Sequence, residues 1–197
     1  MKLFKKISKL FKKKVTLVTH NSKFHVDDIF ACATLQLMLD KKNIPYTVIR
    51  TRDKTIIERG DYVFDVGGIY DTATNRFDHH QKEGAGVRAN NIPYASFGLV
   101  WKHFGSELCT PEIAEEIDNK IVSGIDAIDN GISITKLIYP DVSSLDFGDL
   151  ASSFKPSWKD ESETGFDDGF KKIVAIAKGY LAREIVYLTE FKEAEQL

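Results

Sequence analysis

Four of the five histidines in this chain stand close to acidic residues, in short runs separated by apolar, strand-like sequence. The first run is His20-Asn-Ser-Lys-Phe-His25-Val-Asp27-Asp28. The second is Asp65-Val-Gly67-Gly68, and the third is Asp78-His79-His80. A lone histidine is more often a satisfied core or surface residue than a ligand, but four of them interleaved with carboxylates form the donor set of a metal site. Mixed imidazole and carboxylate donors suit manganese, zinc, iron or cobalt. No thiolate joins them, because Cys32 falls a turn or more into the following helix and Cys109 is remote in sequence. Five or six donors exceed what one tetrahedral ion needs, whereas two ions about 3.5–4 Å apart, sharing a bridging carboxylate, use them all. Such a pair generates hydroxide near neutral pH and clamps the oxygens of an in-line displacement, which points to a phosphate ester or phosphoanhydride as substrate.

These runs must reach one edge of a sheet to act together. Val15–Thr19 reads as a β-branched strand that gives way to the polar stretch His20–Lys23. Asp27–Asp40 reads as a helix, opened by two acidic residues where the macrodipole favours negative charge. Its middle, Ala31-Cys32-Ala33, is small enough to lie close against a sheet. Tyr46–Arg50 is a second strand and Tyr62–Val66 a third, stopped by Gly67-Gly68. Strand, helix and strand within about 35 residues predict a right-handed crossover onto a parallel sheet. Ligands of such sheets collect outside the carboxyl ends of the strands, where His20, His25, Asp27, Asp65 and His79 converge. Asp71–Asn75 turns the chain between Gly68–Tyr70 and Arg76–Asp78, as a hairpin or a strand addition. From Pro93 onward the pattern is helical: Pro93–Phe104, Pro111–Ile128 and a closing helix from about Phe166 to Glu195. That last helix sets Phe170, Ile173, Val174, Ala177, Leu181 and Leu188 on one stripe, the signature of core packing. Trp101 and His103 fall in an apolar helix and read as packing residues, and Lys23 and Arg88 read as surface charges. The expected fold class is α/β: a parallel sheet with helices on both faces and a helical C-terminal half.

A chain of 197 residues has room for one ordinary domain with a small appendage. At 43% hydrophobic and 28% charged residues it is neither disordered nor fibrous. No apolar run approaches the ~18 residues of a membrane span, so no integral membrane protein is expected. Two distant cysteines and no CxxC argue against a disulfide framework and for a reducing compartment, hence a cytoplasmic location. The net charge of −2 conceals an asymmetry: seven lysines fall in the first fourteen residues. The remaining 20 basic residues face 29 acidic ones, which leaves about −9 on the body. Leu3, Phe4, Ile7, Leu10 and Phe11 recur between those lysines at helical spacing. Residues 1–14 are therefore a basic amphipathic segment suited to an anionic partner or to loose docking on the domain, which occupies residues 15–197.

His20…His25-Val26-Asp27, Asp65-Val-Gly67-Gly68 and Arg76-Phe77-Asp78-His79-His80-Gln81 together resemble the DHH phosphoesterase superfamily. Within it the chain looks like the melanocyte-proliferating-gene-one branch, whose members are described as metal-dependent exonucleases. Arg50-Thr-Arg52-Asp53, Ser96-Phe-Gly98-Leu99, His103-Phe-Gly105, Ala89–Asn91, Asp126-Ala-Ile-Asp129-Asn130-Gly131 and Phe154-Lys155-Pro156-Ser-Trp158 support that branch. The likeness covers nearly all of residues 15–190.

The resemblance implies that His20, His25 and Asp65 hold one ion. Asp65, Asp27, His79 and a late aspartate hold the second, with Asp65 bridging. The late aspartate is Asp129 or Asp126, with Asp129 favoured because Asp129-Asn-Gly131 looks like the Asp-Thr-Gly of related members. His80 then faces the substrate phosphate, and Asp78 accepts a hydrogen bond from a liganding imidazole, so catalysis falls to His80, Asp78 and His79. Neighbours on an extended segment point to opposite sides, which agrees with different roles for His79 and His80. Arg76, Gln81 and His103 flank the motifs as candidate contacts to substrate. Where members read His-Cys-Asp-Glu this chain has His25-Val26-Asp27-Asp28, and Asp28 reads as a helix-start residue. The resemblance also implies a second domain after the long helix, which is not within this sequence; a second copy of the chain is a candidate to cover the site. The expected function is phosphodiester hydrolysis on single-stranded RNA or DNA with two divalent ions, manganese first among them. A small-molecule phosphoesterase or pyrophosphatase-like enzyme, and a non-catalytic metal-binding module, are the alternatives.

Overall fold

The computed structural model describes residues 14–136, 138–139, 141–159 and 163–195. The lysine-rich segment therefore lies outside the described residues except for Lys14. The strands are β1 (Val15–Thr19), β2 (Tyr46–Arg50), β3 (Tyr62–Phe64), β4 (Tyr70–Asp71) and β5 (Arg76–Phe77). They form one sheet in the order β2-β1-β3-β5-β4. β1 pairs in parallel with β2, from Val15 opposite Tyr46 to Thr19 opposite Arg50, and in parallel with β3 on its other side. β5 runs parallel to β3, and β4 closes the edge antiparallel to β5. The turn joining β4 to β5 is a hairpin in which Asp71 caps Thr72–Thr74 and Asn75 takes the left-handed region at φ 56°. Four strands thus end at one edge, each handing its chain to a segment that carries histidine, arginine or aspartate.

The helices are α1 (Val26–Lys41), α2 (Lys54–Arg59), α3 (Ser96–Leu108), α4 (Pro111–Ile117), α5 (Ser123–Asp129), α6 (Phe147–Ser152) and α7 (Glu163–Ala194). α1 packs against both α3 and α7, and its Ala31-Cys32-Ala33 stretch is wholly buried. Side chains of a strand alternate faces, so Leu17, Phe64 and Phe77 join the main core while Val18 and Val63 look the other way. On that second face Gly60 lies so close that a Cβ there would stand 2.8 Å from a methyl of each valine. The segment that carries α2 therefore covers this face, and helices flank the sheet on both sides. Phe170, Ile173, Val174, Ala177, Leu181 and Leu188 of α7 are all buried, as their stripe predicts.

The elements depart from the sequence reading in four places. β3 stops at Phe64 because Asp65 turns into the left-handed region at φ 52°. The helix expected at Pro93 begins at Ser96. The helix expected over Pro111–Ile128 is broken by a π turn at Asp118–Val122. Two short helices, α2 and α6, each capped by an aspartate (Asp53 and Asp146), fall where the sequence pattern announces no element. Short capped helices carry too few residues for apolar periodicity to show. Trp101 is a core residue, and its indole N–H donates to the Ala114 carbonyl at 2.9 Å. Among the described residues no helix is long and apolar enough to cross a membrane.

Candidate metal centre

His20 follows β1 directly and is buried. Its Nδ1 donates to the Asn21 carbonyl at 3.0 Å, which turns Nε2 toward Asp28 at 3.2 Å and Asp65 at 3.1 Å. The loop then passes through Ser22, at φ 67°, to His25, whose ring lies 5.7 Å from that of His20. His25 stands just before α1, and its N–H donates to Asp28 Oδ1 at 2.9 Å. Asp28 does start the helix, and it also faces His20. Asp27 points into the protein, where the first two N–H groups of α3 donate to it: Ser96 at 3.1 Å and Phe97 at 2.6 Å. A helix N-terminus offers unpaired N–H groups and positive potential, so a buried carboxylate there is stabilised and the start of α3 is set.

Two arginines to which the sequence analysis gave no role at the site hold this loop. Arg50 donates from Nη2 to the Ser22 carbonyl at 2.6 Å and from Nη1 to Asp167 at 2.9 Å. Its guanidinium lies over the rings of Phe24 and Phe170, 5.5 and 4.6 Å from their centres. Arg52 donates to the carbonyl and the side-chain oxygen of Asn21, at 2.6 and 2.9 Å.

Asp65 lies between the two histidine runs. Its Oδ2 meets His20, and its Oδ1 lies 3.5 Å from His79 Nε2, 3.6 Å from His80 Nδ1 and 3.4 Å from the Ser96 hydroxyl. A positive φ at a residue with a Cβ costs on the order of 1 kcal/mol and collects at functional sites. Gly67 and Gly68, at φ 100° and 70°, bring the chain back so that the Gly68 N–H donates to Asp78 at 2.5 Å. His79 reaches past Asp65 to Asp129 at the end of α5, 3.2 Å away.

The charges are strongly coupled. Burial works against protonating His20, but the Asp28 and Asp65 carboxylates beside it outweigh that and raise its pKa to about 10. His79 is likewise raised to about 10 despite burial, through Asp129 and Asp65. Burial would raise Asp65, yet His20 and His79 hold its carboxyl below the usual carboxylate range. Burial and the neighbouring Asp65, Asp129 and Asp126 carboxylates push Asp27 well up, and burial raises Asp28. Imidazolium protons thus occupy positions where cations are wanted.

The residues fit divalent ions. His79 Nε2 and Asp28 Oδ2 are buried without a directed hydrogen bond, although each has an oppositely charged group 3.2 Å away. Donor atoms of His20, His25 and Asp65 lie within 4.8 Å of one another, as do those of Asp27, His79 and Asp129. A third grouping, Asp65, His79 and His80, overlaps both and leaves Asp65 and His79 as shared members.

Several expected contacts are placed elsewhere. Asp126 does not join the centre: it accepts from the Gly98 N–H at 3.0 Å and from Arg88 Nη1 at 2.6 Å. It stands three positions before Asp129, and only the latter lies where α5 ends against His79. Arg88 is no surface charge, since it is buried between Asp126 and Asp118 and stacks 4.2 Å over Tyr94. Arg76 is bonded to the Thr74 and Glu58 carbonyls, at the end of β5 away from His79. His103 packs its ring on Phe77 and Phe104, on the outer side of α3. Gln81 stays near the centre, with Nε2 donating to the Asp78 carbonyl at 2.8 Å. Asp78 accepts from His80, at 2.7 Å from Nδ1 and 3.1 Å from the backbone N–H, and not from one of the other imidazoles. The rings of His79 and His80 lie 4.3 Å apart and both reach Asp65, because the chain has left the strand by Asp78 and alternation no longer applies.

Beside the centre opens a cavity of about 900 Å³, lined by His20, Asp65 and His80 and also by apolar and aromatic side chains. Lys155 lines it too, with its ammonium 5.5 Å over the Phe24 ring and its pKa lowered by burial.

Fold and site together define an α/β protein with a candidate histidine–aspartate metal centre at the carboxyl edge of its sheet. The MYG1_exonuc family model, described as an uncharacterised protein family (UPF0160), matches residues 16–196, and the chain belongs to this family. It is 30% identical over 188 residues to a MYG1 protein of Caenorhabditis elegans, covering 86% of this chain and 54% of that one. It is 32% identical over 170 residues to a MYG1 protein of Chlamydia pneumoniae, covering 84% and 52%. With the MYG1 exonuclease of Homo sapiens it shares 33% over 134 residues, covering 58% and 35%. The chain thus spans about half the length of these curated relatives, or less. No solved structure matches it.

Proposed function

We propose that this chain is a metal-dependent phosphodiesterase that removes nucleotides from an end of single-stranded RNA or DNA. The observation that carries the reading is Asp65 standing between two donor groups, His20 with His25 and His79 with Asp27 and Asp129. The exonuclease name of the human relative and the likeness of the motifs to DHH phosphoesterases support it. His20, His25 and Asp65 would hold one ion; Asp65, Asp27, His79 and Asp129 would hold the other, with manganese preferred. Bound there, divalent ions supply Lewis-acid activation of water and of the phosphodiester.

The chain's own residues do the rest. Asp78 fixes the His80 ring through Nδ1, which leaves Nε2 on an imidazole that is 62% exposed. With Nδ1 tied to Asp78, Nε2 of the ring is placed to give a proton to a substrate oxygen and to stabilise charge as the ester bond breaks. Asp27 is held by α3 and Asp65 by its turn, so both carboxylates are positioned before substrate arrives. The test incubates the Mn²⁺-loaded chain with end-labelled single-stranded oligonucleotides and, side by side, with pyrophosphate. Stepwise release of mononucleotides from one end, abolished by EDTA, is expected. Hydrolysis of pyrophosphate alone would replace this reading with the small-molecule one, and no hydrolysis of either would leave a metal-binding module.

A further inference from the structure

We propose that the cavity beside the metal centre is a nucleobase site, in which one unpaired base of the substrate lies against Phe147 and Tyr180 while Lys155 holds the attached phosphate. This rests on the phosphodiesterase reading and names the part of the substrate that the centre alone does not grip.

The cavity lining is of two chemical kinds. Metal-centre residues, where an anionic phosphate belongs, form one part of it, and Phe30, Ile121, Ile125, Ile134, Phe147 and Tyr180 form another, together with the polar Lys120 and Asp146. The three rings of this second part come from α1, α6 and α7, and Phe30 meets the other two edge-on, at 4.8 Å from Phe147 and 6.2 Å from Tyr180. Phe30 is fully buried and braces the pair, whereas Phe147 is half-buried and Tyr180 is 42% exposed. Two rings that line a cavity, keep accessible surface and are held from behind suit stacking on a flat ligand. The volume of about 900 Å³ lies within the ~300–1,000 Å³ of small-ligand pockets, enough for a terminal nucleotide but not for a duplex.

Lys155 lines the same cavity. It follows α6 in the Phe154-Lys155-Pro156-Ser-Trp158 run, and its ammonium lies over Phe24, the residue just before His25. Among the described residues no hydrogen bond or ion pair engages that ammonium, in contrast to Arg52, whose guanidinium is spent on Asn21. A partly buried ammonium that feels the Asp28 carboxylate but is held by no hydrogen bond or close ion pair among the described residues, one loop away from the metal centre, is placed for a phosphate oxygen. Lys120 is paired with Glu184 and Asp146 caps α6, so the wall offers mainly stacking, and base–aromatic stacking is tolerant of sequence. The site therefore grips any unpaired base.

The test measures binding of AMP, CMP, ribose 5-phosphate and inorganic phosphate to the Mn²⁺-loaded full chain by titration calorimetry. Both nucleotides should bind about tenfold or more tightly than ribose 5-phosphate and within about tenfold of each other, the size of a stacking contribution. Tyr180→Ala and Phe147→Leu should each shrink that advantage to about threefold or less, with Mn²⁺ content and circular dichroism unchanged. Lys155→Gln should weaken nucleotides and ribose 5-phosphate alike, by about fivefold, and leave their ratio intact. Equal binding of AMP and ribose 5-phosphate, or an advantage that survives both ring substitutions, overturns the base site. Oligonucleotide hydrolysis by the unaltered chain, run in parallel, separates the two readings. Hydrolysis without a base advantage overturns this proposal alone, and a base advantage without Mn²⁺-dependent hydrolysis overturns the phosphodiesterase reading.

Discussion

Among the described residues Asp65 is the one carboxylate within reach of His20, His79 and His80 together, and it pays for that place with a strained backbone. Asp65→Ala removes the shared donor, so both ions should be lost: elemental analysis after Mn²⁺ loading and desalting should find about two equivalents in the unaltered chain and fewer than one in the variant. Retention of two would show that Asp65 bridges nothing. The adjacent histidines should separate. His79→Ala leaves Asp27 and Asp129 without their imidazole and should lower Mn²⁺ content, whereas His80, tied through Nδ1 to Asp78, should be dispensable for the metal. His80→Ala should keep full Mn²⁺ occupancy while turnover falls about 10²-fold or more, the usual worth of a proton donor. Equal metal loss in both variants would put His80 among the ligands.

At the scale of elements, the centre depends on how α3 and α5 are locked together. Arg88 bridges Asp118 and Asp126, and Asp126 fills the space over Gly98, where a Cβ would stand 1.8 Å from its Oδ2. This places α5 so that Asp129 reaches His79, and it aligns the α3 N-terminus on Asp27. Arg88→Leu strands the Asp126 carboxylate in the interior, a change that costs about 3–5 kcal/mol when a buried pair is broken. Urea denaturation of the metal-free variant should show a loss of this size. A midpoint unchanged from the parent would mean that the pair contributes nothing to holding the two helices.

At the scale of the whole molecule, the centre ties together the ends of β1, β3, β5 and α5 and the start of α1, so ion binding should stabilise the fold. In the metal-free protein His20 and His79 keep their protons up to about pH 10, against 6.5 for a free imidazole. Their contribution is fully present below pH 6.5 and fades as pH rises toward 10. Ions require neutral imidazoles, so binding releases these protons and strengthens with pH. Mn²⁺ at a hundred times its Kd at pH 6 should therefore raise Tm there by the equivalent of about 2.7 kcal/mol, and the same concentration should raise it more at pH 8. Thermal scans showing a gain that is flat or falls with pH would contradict the proton-for-metal exchange.

What the sequence determined by itself was local chemistry and period. The β-branched run before His20, the small residues of α1 and the apolar stripe of α7 each announce an element through side-chain spacing. The strand ends then carry His20, Asp65 and His79 to one edge, because a parallel sheet puts all its carboxyl ends together. What only the tertiary structure decided is which way neighbours face once the chain leaves regular structure. Asp126 and Asp129 have the same chemistry and sit on one helix, and it took Arg88, thirty-eight residues before Asp126, to claim the first and leave the second for the centre. His79 and His80 break strand alternation because Asp78 is bound by the Gly68 N–H across the turn. Arg50, Arg52 and Lys155 gain their places from loops that fold back on β1 and α1, contacts that no periodicity encodes. Spacing reports the faces of regular elements, whereas these partners lie far apart in sequence and are selected by burial, where an unpaired charge is too costly to leave.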